Sequence, residues 1–261
     1  MDNSQSYGLA LALVFALTAG FVGCFALMRR MLLASDVISH LALPGLGLAF
    51  LLKVNPLAGG AATLFLGTIL IWKLQGRAGL ATEAAIGVVF AAALAVGAAV
   101  TPREDLVEAL FGALPKLSLG GFLLGLAAVA SVIVGILWLK DRLILTLFSP
   151  DLAAVTGVKV SRLELCFLLL FSLLILAGLR FMGALLASAL IIIPASTARQ
   201  LTGNMASFLW ISPLVSLLSV LVGYGVAIAV LKTSTVAPTI VVVSAAAFGA
   251  SLVGKRTSGS N

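Results

Sequence analysis

The sequence predicts an all-α, polytopic membrane protein with about eight or nine transmembrane helices in a single domain over residues 1–261. Two observations carry this. Hydrophobic residues make up 62% of the chain and charged residues 10%, with a mean hydropathy of +1.23, a balance no soluble domain shows. Apolar runs long enough to cross a bilayer also recur from end to end, separated only by short polar loops that leave no room for a soluble domain.

The elements follow in order. The first span, about Tyr7 to Met28, ends at Arg29-Arg30. The residues before it lack a basic n-region, so it is expected to be an anchor and not a signal peptide. The second runs from about Met31 to Leu52 and carries Asp36, His40, Pro44 and Gly45. Pro44 has no N–H to donate and is expected to kink or break the helix just past the histidine. Leu57 to Trp72 spans next, bounded by Lys73 and Arg77. Glu83 to Val100 carries Gly87, Ala91 and Ala95 at helical spacing, which reads as a close-packing face; Glu83 at its entrance reads as solvated.

Thr101–Asp105 is a polar loop, and Leu106–Leu119, interrupted by Pro115 and Lys116, reads as an interfacial segment. Gly121 to Leu139 spans and ends at Lys140-Asp141-Arg142. Ser149-Pro150-Asp151 then forms a proline-initiated cap in an amphipathic stretch. Leu163 to Leu179 spans, Arg180 separates it from a short span Gly183–Ile193, and Pro194 is expected to stop that one. Met205–Leu231 and Val236–Val253 complete the series.

The net charge of +7 comes from basic residues at the ends of apolar runs, as topology signals do, and not from a nucleic-acid surface. With Arg29-Arg30 inside, inner loops hold eleven of the sixteen Lys and Arg residues, which predicts an outside N-terminus and an inside C-terminus. Cys24 and Cys166 lie in separate apolar runs and form no disulfide framework.

The chemistry concentrates at Arg29–Gly45, which holds the single histidine of the chain, His40, four residues after Asp36. On a helix that spacing puts both on one face, and a carboxylate with an imidazole suits a divalent transition metal. A charge at the bilayer centre costs at least ~2.5–3.5 kcal/mol, so one kept there usually serves an ion or a proton. Counted from Arg30 at ~1.5 Å per residue, the pair lies roughly 9–15 Å deep, near the midplane. The competing reading makes Ser35 or Asp36 the N-cap of a helix that starts near the headgroups.

Gly249 to Lys255 fits most of a Walker A pattern, but Arg256 stands where Ser or Thr should be, and no strand precedes it. It reads as a helix end. One histidine cannot build a His-Glu-x-x-His zinc site.

Arg29-Arg30…Asp36-Val-Ile-Ser39-His40…Leu43-Pro44-Gly45 resembles the signature of the permease subunits of zinc/manganese/iron ABC importers. Gly183-Ala-Leu-Leu…Ile193-Pro194-Ala195-Ser-Thr-Ala198-Arg199 is similar to a second motif of that family, and Glu83–Gly87 and Ser149–Gly157 are weaker matches. Ser35 and Ser196 depart from the glycine and alanine usual there.

The resemblance implies a permease that passes zinc, manganese or iron without a prosthetic group. It implies a second permease copy or close paralogue, a cytoplasmic ABC ATPase that does the hydrolysis, and an extracytoplasmic metal-binding protein, all in a bacterial cytoplasmic membrane. It makes Asp36 and His40 the metal ligands. It assigns ATPase coupling to Ala195, Ala198, Arg199, Gln200, Leu201, Thr202, Gly203 and Asn204. A permease for metal chelates and a proton-coupled carrier that uses Asp36 and His40 as a relay are the alternatives.

Overall fold

The computed structural model describes residues 3–78, 81–100, 118–229 and 236–258. These form an all-helical bundle. Its helices are α1 (Asn3–Met28), α2 (Ala34–Ser39), α3 (Leu43–Leu52), α4 (Pro56–Ala78), α5 (Thr82–Val100), α6 (Leu119–Phe148), α7 (Pro150–Val155), α8 (Val160–Met182), α9 (Ala184–Leu201), α10 (Met205–Ala229) and α11 (Val236–Ser258). Among the described residues seven helices are long and apolar enough to span a membrane, and Val236–Leu252 is a shorter apolar one. The predicted second span is present in pieces, as α2, a 3-10 turn His40–Ala42, and α3. The predicted loop Thr101–Asp105 and nearly all of the segment Leu106–Leu119 lie outside the described residues.

Helix α1 sits at the centre, packed by α6, α8, α9 and α10. Its apolar side, Leu11, Phe15, Ala19 and Val22, is fully buried. Burial of this kind holds side chains at crystal-like density. Hydroxyls tie helices together across the apolar core. Thr68 of α4 and Ser172 of α8 share a buried 2.7 Å hydrogen bond, and Ser212 of α10 donates to the Gly20 carbonyl of α1 at 2.6 Å.

Three boundaries differ from the sequence expectation. Pro194 does not stop its helix: α9 runs from Ala184 through it to Leu201. A proline there costs one backbone hydrogen bond, but packing by α1, α8, α10 and α11 holds the helix on course. Ser196 and Thr197 also donate to the Ile192 and Ile193 carbonyls and brace the turn beside it. Nor does Arg180 separate the spans. The break is at Gly183, with φ 83° and ψ 159°, a conformation reserved for glycine. Gly183→Ala is therefore expected to destabilise the protein by about 1–3 kcal/mol, read as an earlier thermal unfolding in detergent. Finally, α6 does not end at Lys140-Asp141-Arg142 but continues to Phe148. The Ser149 cap then forms as predicted: its hydroxyl accepts from the Leu152 N–H, with Pro150 at the first helical position.

The Gly249–Lys255 stretch lies inside α11 as continuous helix, so it lacks the loop that a phosphate cradle needs.

Candidate metal-ligand turn

The turn that carries Asp36 and His40 begins at the end of α1. Met31 N–H bonds to the Ala26 carbonyl at 2.8 Å and Arg30 N–H to the Leu27 carbonyl at 3.0 Å. This is the Schellman pattern, with Arg30 at φ 57° in the position usually given to glycine. Ser35 does not cap α2. Its hydroxyl donates back to the Leu32 carbonyl at 2.9 Å, and the cap position is Leu33, without a side-chain bond.

Pro44 shapes the site from downstream. It has no N–H for the carbonyl of His40, four residues before it. The Leu43 N–H takes that carbonyl instead, and the chain tightens into the 3-10 turn His40–Ala42. The break therefore covers the histidine and the two residues after it, before Pro44, about where the sequence places it. Gly45 is no break either: it sits in α3 where its backbone touches that of Gly59 in α4, so closely that a Cβ on either would overlap the other's carbonyl.

The tightening also alters the pair. In an α-helix residues four apart differ by about 40° in azimuth, and in a 3-10 helix by about 120°. The His40 N–H bonds to the carbonyls of Val37 and Ile38, while the Asp36 carbonyl accepts from the Ser39 hydroxyl at 2.6 Å. Consistent with an intermediate angle, Asp36 is exposed and His40 half-buried. The imidazole packs on Phe90 of α5, ring centroids 5.8 Å apart. The carboxylate and the imidazole therefore stand at different exposures on successive turns.

Their depths differ. Leu41 packs against Gly67, the twelfth of the 23 residues of α4, and His40 meets Phe90, the ninth of the 19 in α5. His40 is thus near mid-span. Asp36 is about one turn, ~6 Å, nearer the end marked by Arg29. It is shallower than a count from Arg30 gives, because residues 31–33 form a turn and add no helical rise.

Among the described residues no three His, Cys, Asp or Glu side chains gather into a metal-sized group. Asp36 and His40 alone are fewer than the four groups of a closed tetrahedral site. Helix α5, which packs on α2 and the 3-10 turn, carries Gly87, Ala91 and Ala95, all exposed, with no described atom within 4 Å of a Cβ added to Gly87. The small-residue stripe is present, and no described helix of this chain covers Gly87.

The other motif residues divide. Ala195 and Ala198 are fully buried, Ala198 against Cys24 and Phe208. Arg199, Leu201, Gly203 and Asn204 are exposed, and Gln200 and Thr202 half-buried, around the α9–α10 turn. That turn lies at the same end as the exit from α1, since the Cys24 thiol donates to the Phe208 carbonyl at 3.5 Å. Arg29 reaches Thr146 of α6 at that end, and Trp72 of α4 donates to the Ser161 carbonyl of α8 at 2.8 Å. Lys73, Arg77, Lys159, Arg162 and Arg199 therefore gather on one basic rim. The rim also exposes apolar side chains that the sequence reading passed over: Phe148 at 75%, Leu152 at 52% and Val155 at 85%. A proline-capped helix ended by Gly157 at φ 81° was the available signal.

A helical membrane bundle with a carboxylate and an imidazole at a break in one of its intramembrane helices has the construction of a transport protein. The model of the ABC 3 transport family matches residues 2–255, and the chain belongs to that family. It is 31% identical over 230 residues to the manganese import system permease protein ScaB of Streptococcus parasanguinis, covering 85% of this chain and 82% of the relative. It is 28% identical over 250 residues to the high-affinity zinc uptake system membrane protein ZnuB of Haemophilus influenzae, covering 94% and 95%. PsaBC from Streptococcus pneumoniae, solved in complex with Fab, superposes with a TM-score of 0.79 at 26% identity, over 95% of this chain and 91% of that one.

Proposed function

We propose that this chain is the membrane-spanning permease of an ATP-driven importer of a divalent metal ion, manganese or zinc, with Asp36 and His40 as ligands in its pathway. The observation that carries the reading is the broken second span, which leaves an exposed carboxylate on α2 and a half-buried imidazole at the 3-10 turn after it. Lipid cannot cover such a carboxylate cheaply. A second permease copy can: a two-fold axis beside α2 and α5 supplies two Asp and two His, enough for four-coordinate binding. The Gly87, Ala91 and Ala95 stripe lets the two α5 helices approach closely. Chelated metal needs a wide pathway without such ligands, so the pair favours the bare ion.

The basic rim faces the cytoplasm by the positive-inside rule, which puts the N-terminus outside and the C-terminus inside. A separate ABC ATPase docks there on Arg199, Gln200, Leu201, Thr202, Gly203 and Asn204. The exposed Leu152 and Val155 of α7 extend that surface. A metal-binding protein feeds the opposite end.

The test is transport of Mn²⁺ or Zn²⁺ by permease and partner ATPase in proteoliposomes with ATP on the ATPase side. Uptake is expected to need ATP and to survive collapse of the proton gradient. Uptake driven by that gradient without ATP would favour a carrier instead. Cysteines at Arg199 and Asn204 are expected to cross-link to the ATPase, and α7 alone doing so would move the docking surface.

A further inference from the structure

Arg29 is the first residue after α1, yet its side chain turns back into the protein. Its Nη2 donates to Thr146 Oγ1 at 3.3 Å, and its guanidinium stacks 5.0 Å from the centroid of Phe167. Thr146 is free to accept, because its own hydroxyl proton goes to the Leu143 carbonyl at 2.9 Å. The Nε–H of Arg29 is buried with no acceptor. Burial lowers the guanidinium's pKa, and the charge of Glu164 opposes that. Glu164 stands one helical turn before Phe167 on the same face of α8.

These contacts join two parts of the molecule. Thr146 is three residues before Ser149, the cap of α7, and Phe167 is on α8, which follows α7. Arg29 thus grips the helices on both sides of α7. On its other side the chain passes through the Arg30 turn, and Asp36 is seven residues on. We propose that Arg29 is a positioning residue that links the docking rim to the metal-ligand turn, acting as a latch held by Thr146 in this state and by Glu164 in another.

The physical ground is the unmet donor. A guanidinium has five N–H groups in a rigid fork, and a buried one with a spare donor has an alternative arrangement close at hand. Movement of α7 by a docked ATPase shifts Thr146 relative to Phe167 and Glu164. The guanidinium follows, and the Schellman turn passes the displacement to α2 because two hydrogen bonds fix its geometry. Two discrete arrangements biased from both ends are what coupling requires.

The latch rests on the importer reading. Its test uses the permease–ATPase complex in proteoliposomes with Mn²⁺ or Zn²⁺, measuring ions moved per ATP hydrolysed. Arg29→Gln and Glu164→Gln are expected to keep basal ATP hydrolysis and to lose about fivefold in ions per ATP, within the range seen for coupling residues. Arg29→Lys keeps the charge without the fork and serves if the Gln variant fails to assemble; it is expected to lose coupling too. The exchanged pair Arg29→Glu with Glu164→Arg is expected to recover coupling above either single charge reversal, which a merely structural role would not produce. With a working wild type, ions per ATP unchanged in the single variants, or no recovery in the exchanged pair, overturns the latch alone. A wild-type complex that moves neither metal overturns the importer reading and the latch with it.

Discussion

Asp36→Ala and His40→Ala are each expected to abolish metal uptake while the permease still assembles with its ATPase. Neither side chain belongs to the buried core: Asp36 is exposed, and His40 is half-buried with its ring against Phe90. Removing an outer-shell partner of a metal ligand costs about 10–100-fold in affinity or activity, and loss of the ligand itself should exceed that. The measurement is metal-dependent growth or isotope uptake, with co-purification as the control for assembly. His40→Gln is expected to fail as Ala does, since a neutral amide is a poor substitute for imidazole on these ions. Growth at the wild-type rate in both alanine variants would remove the ligands from the pathway.

Gly45→Leu or Gly59→Leu is expected to be the most damaging change away from the ligands. The backbones of α3 and α4 touch at this pair, and any Cβ meets a carbonyl there that cannot move aside. Overpacking alone costs about 1–3 kcal/mol. Here the strain also displaces α3, whose first turn contains Pro44 and so sets the 3-10 turn at His40. Unfolding at lower temperature and loss of uptake are expected together. The contrast is Gly87→Ala, whose Cβ meets nothing among the described residues. It should leave unfolding of the isolated chain nearly unchanged and weaken self-association of the purified permease.

Most spans were legible because lipid demands long apolar runs, and punctuation such as Arg29-Arg30 survives any folding detail. The pair Asp36/His40 was legible for the same reason, as polar residues where none belong. What local pattern could not show was geometry set by missing or distant groups. Pro44 acts on a carbonyl four residues earlier, so the break just past the histidine was legible but its 3-10 geometry was not. Pro194 is overruled by the helices around it. Ala195 and Ala198 share a motif with Arg199, but helical phase buries them and exposes their neighbour. The stripe on α5 reads as small residues in any context; only the packing around it reveals that Gly87, Ala91 and Ala95 are exposed among the described residues.

Gly45 and Gly59 are fourteen residues apart in the chain. Closing so short a loop costs little entropy, and local contacts form ahead of distant ones. The hairpin of α3 and α4 can therefore assemble while the ribosome is still making the rest, before Ser172 exists to bond with Thr68. The platform beneath the histidine is then among the earliest finished parts of the newborn chain, and the later helices close around it.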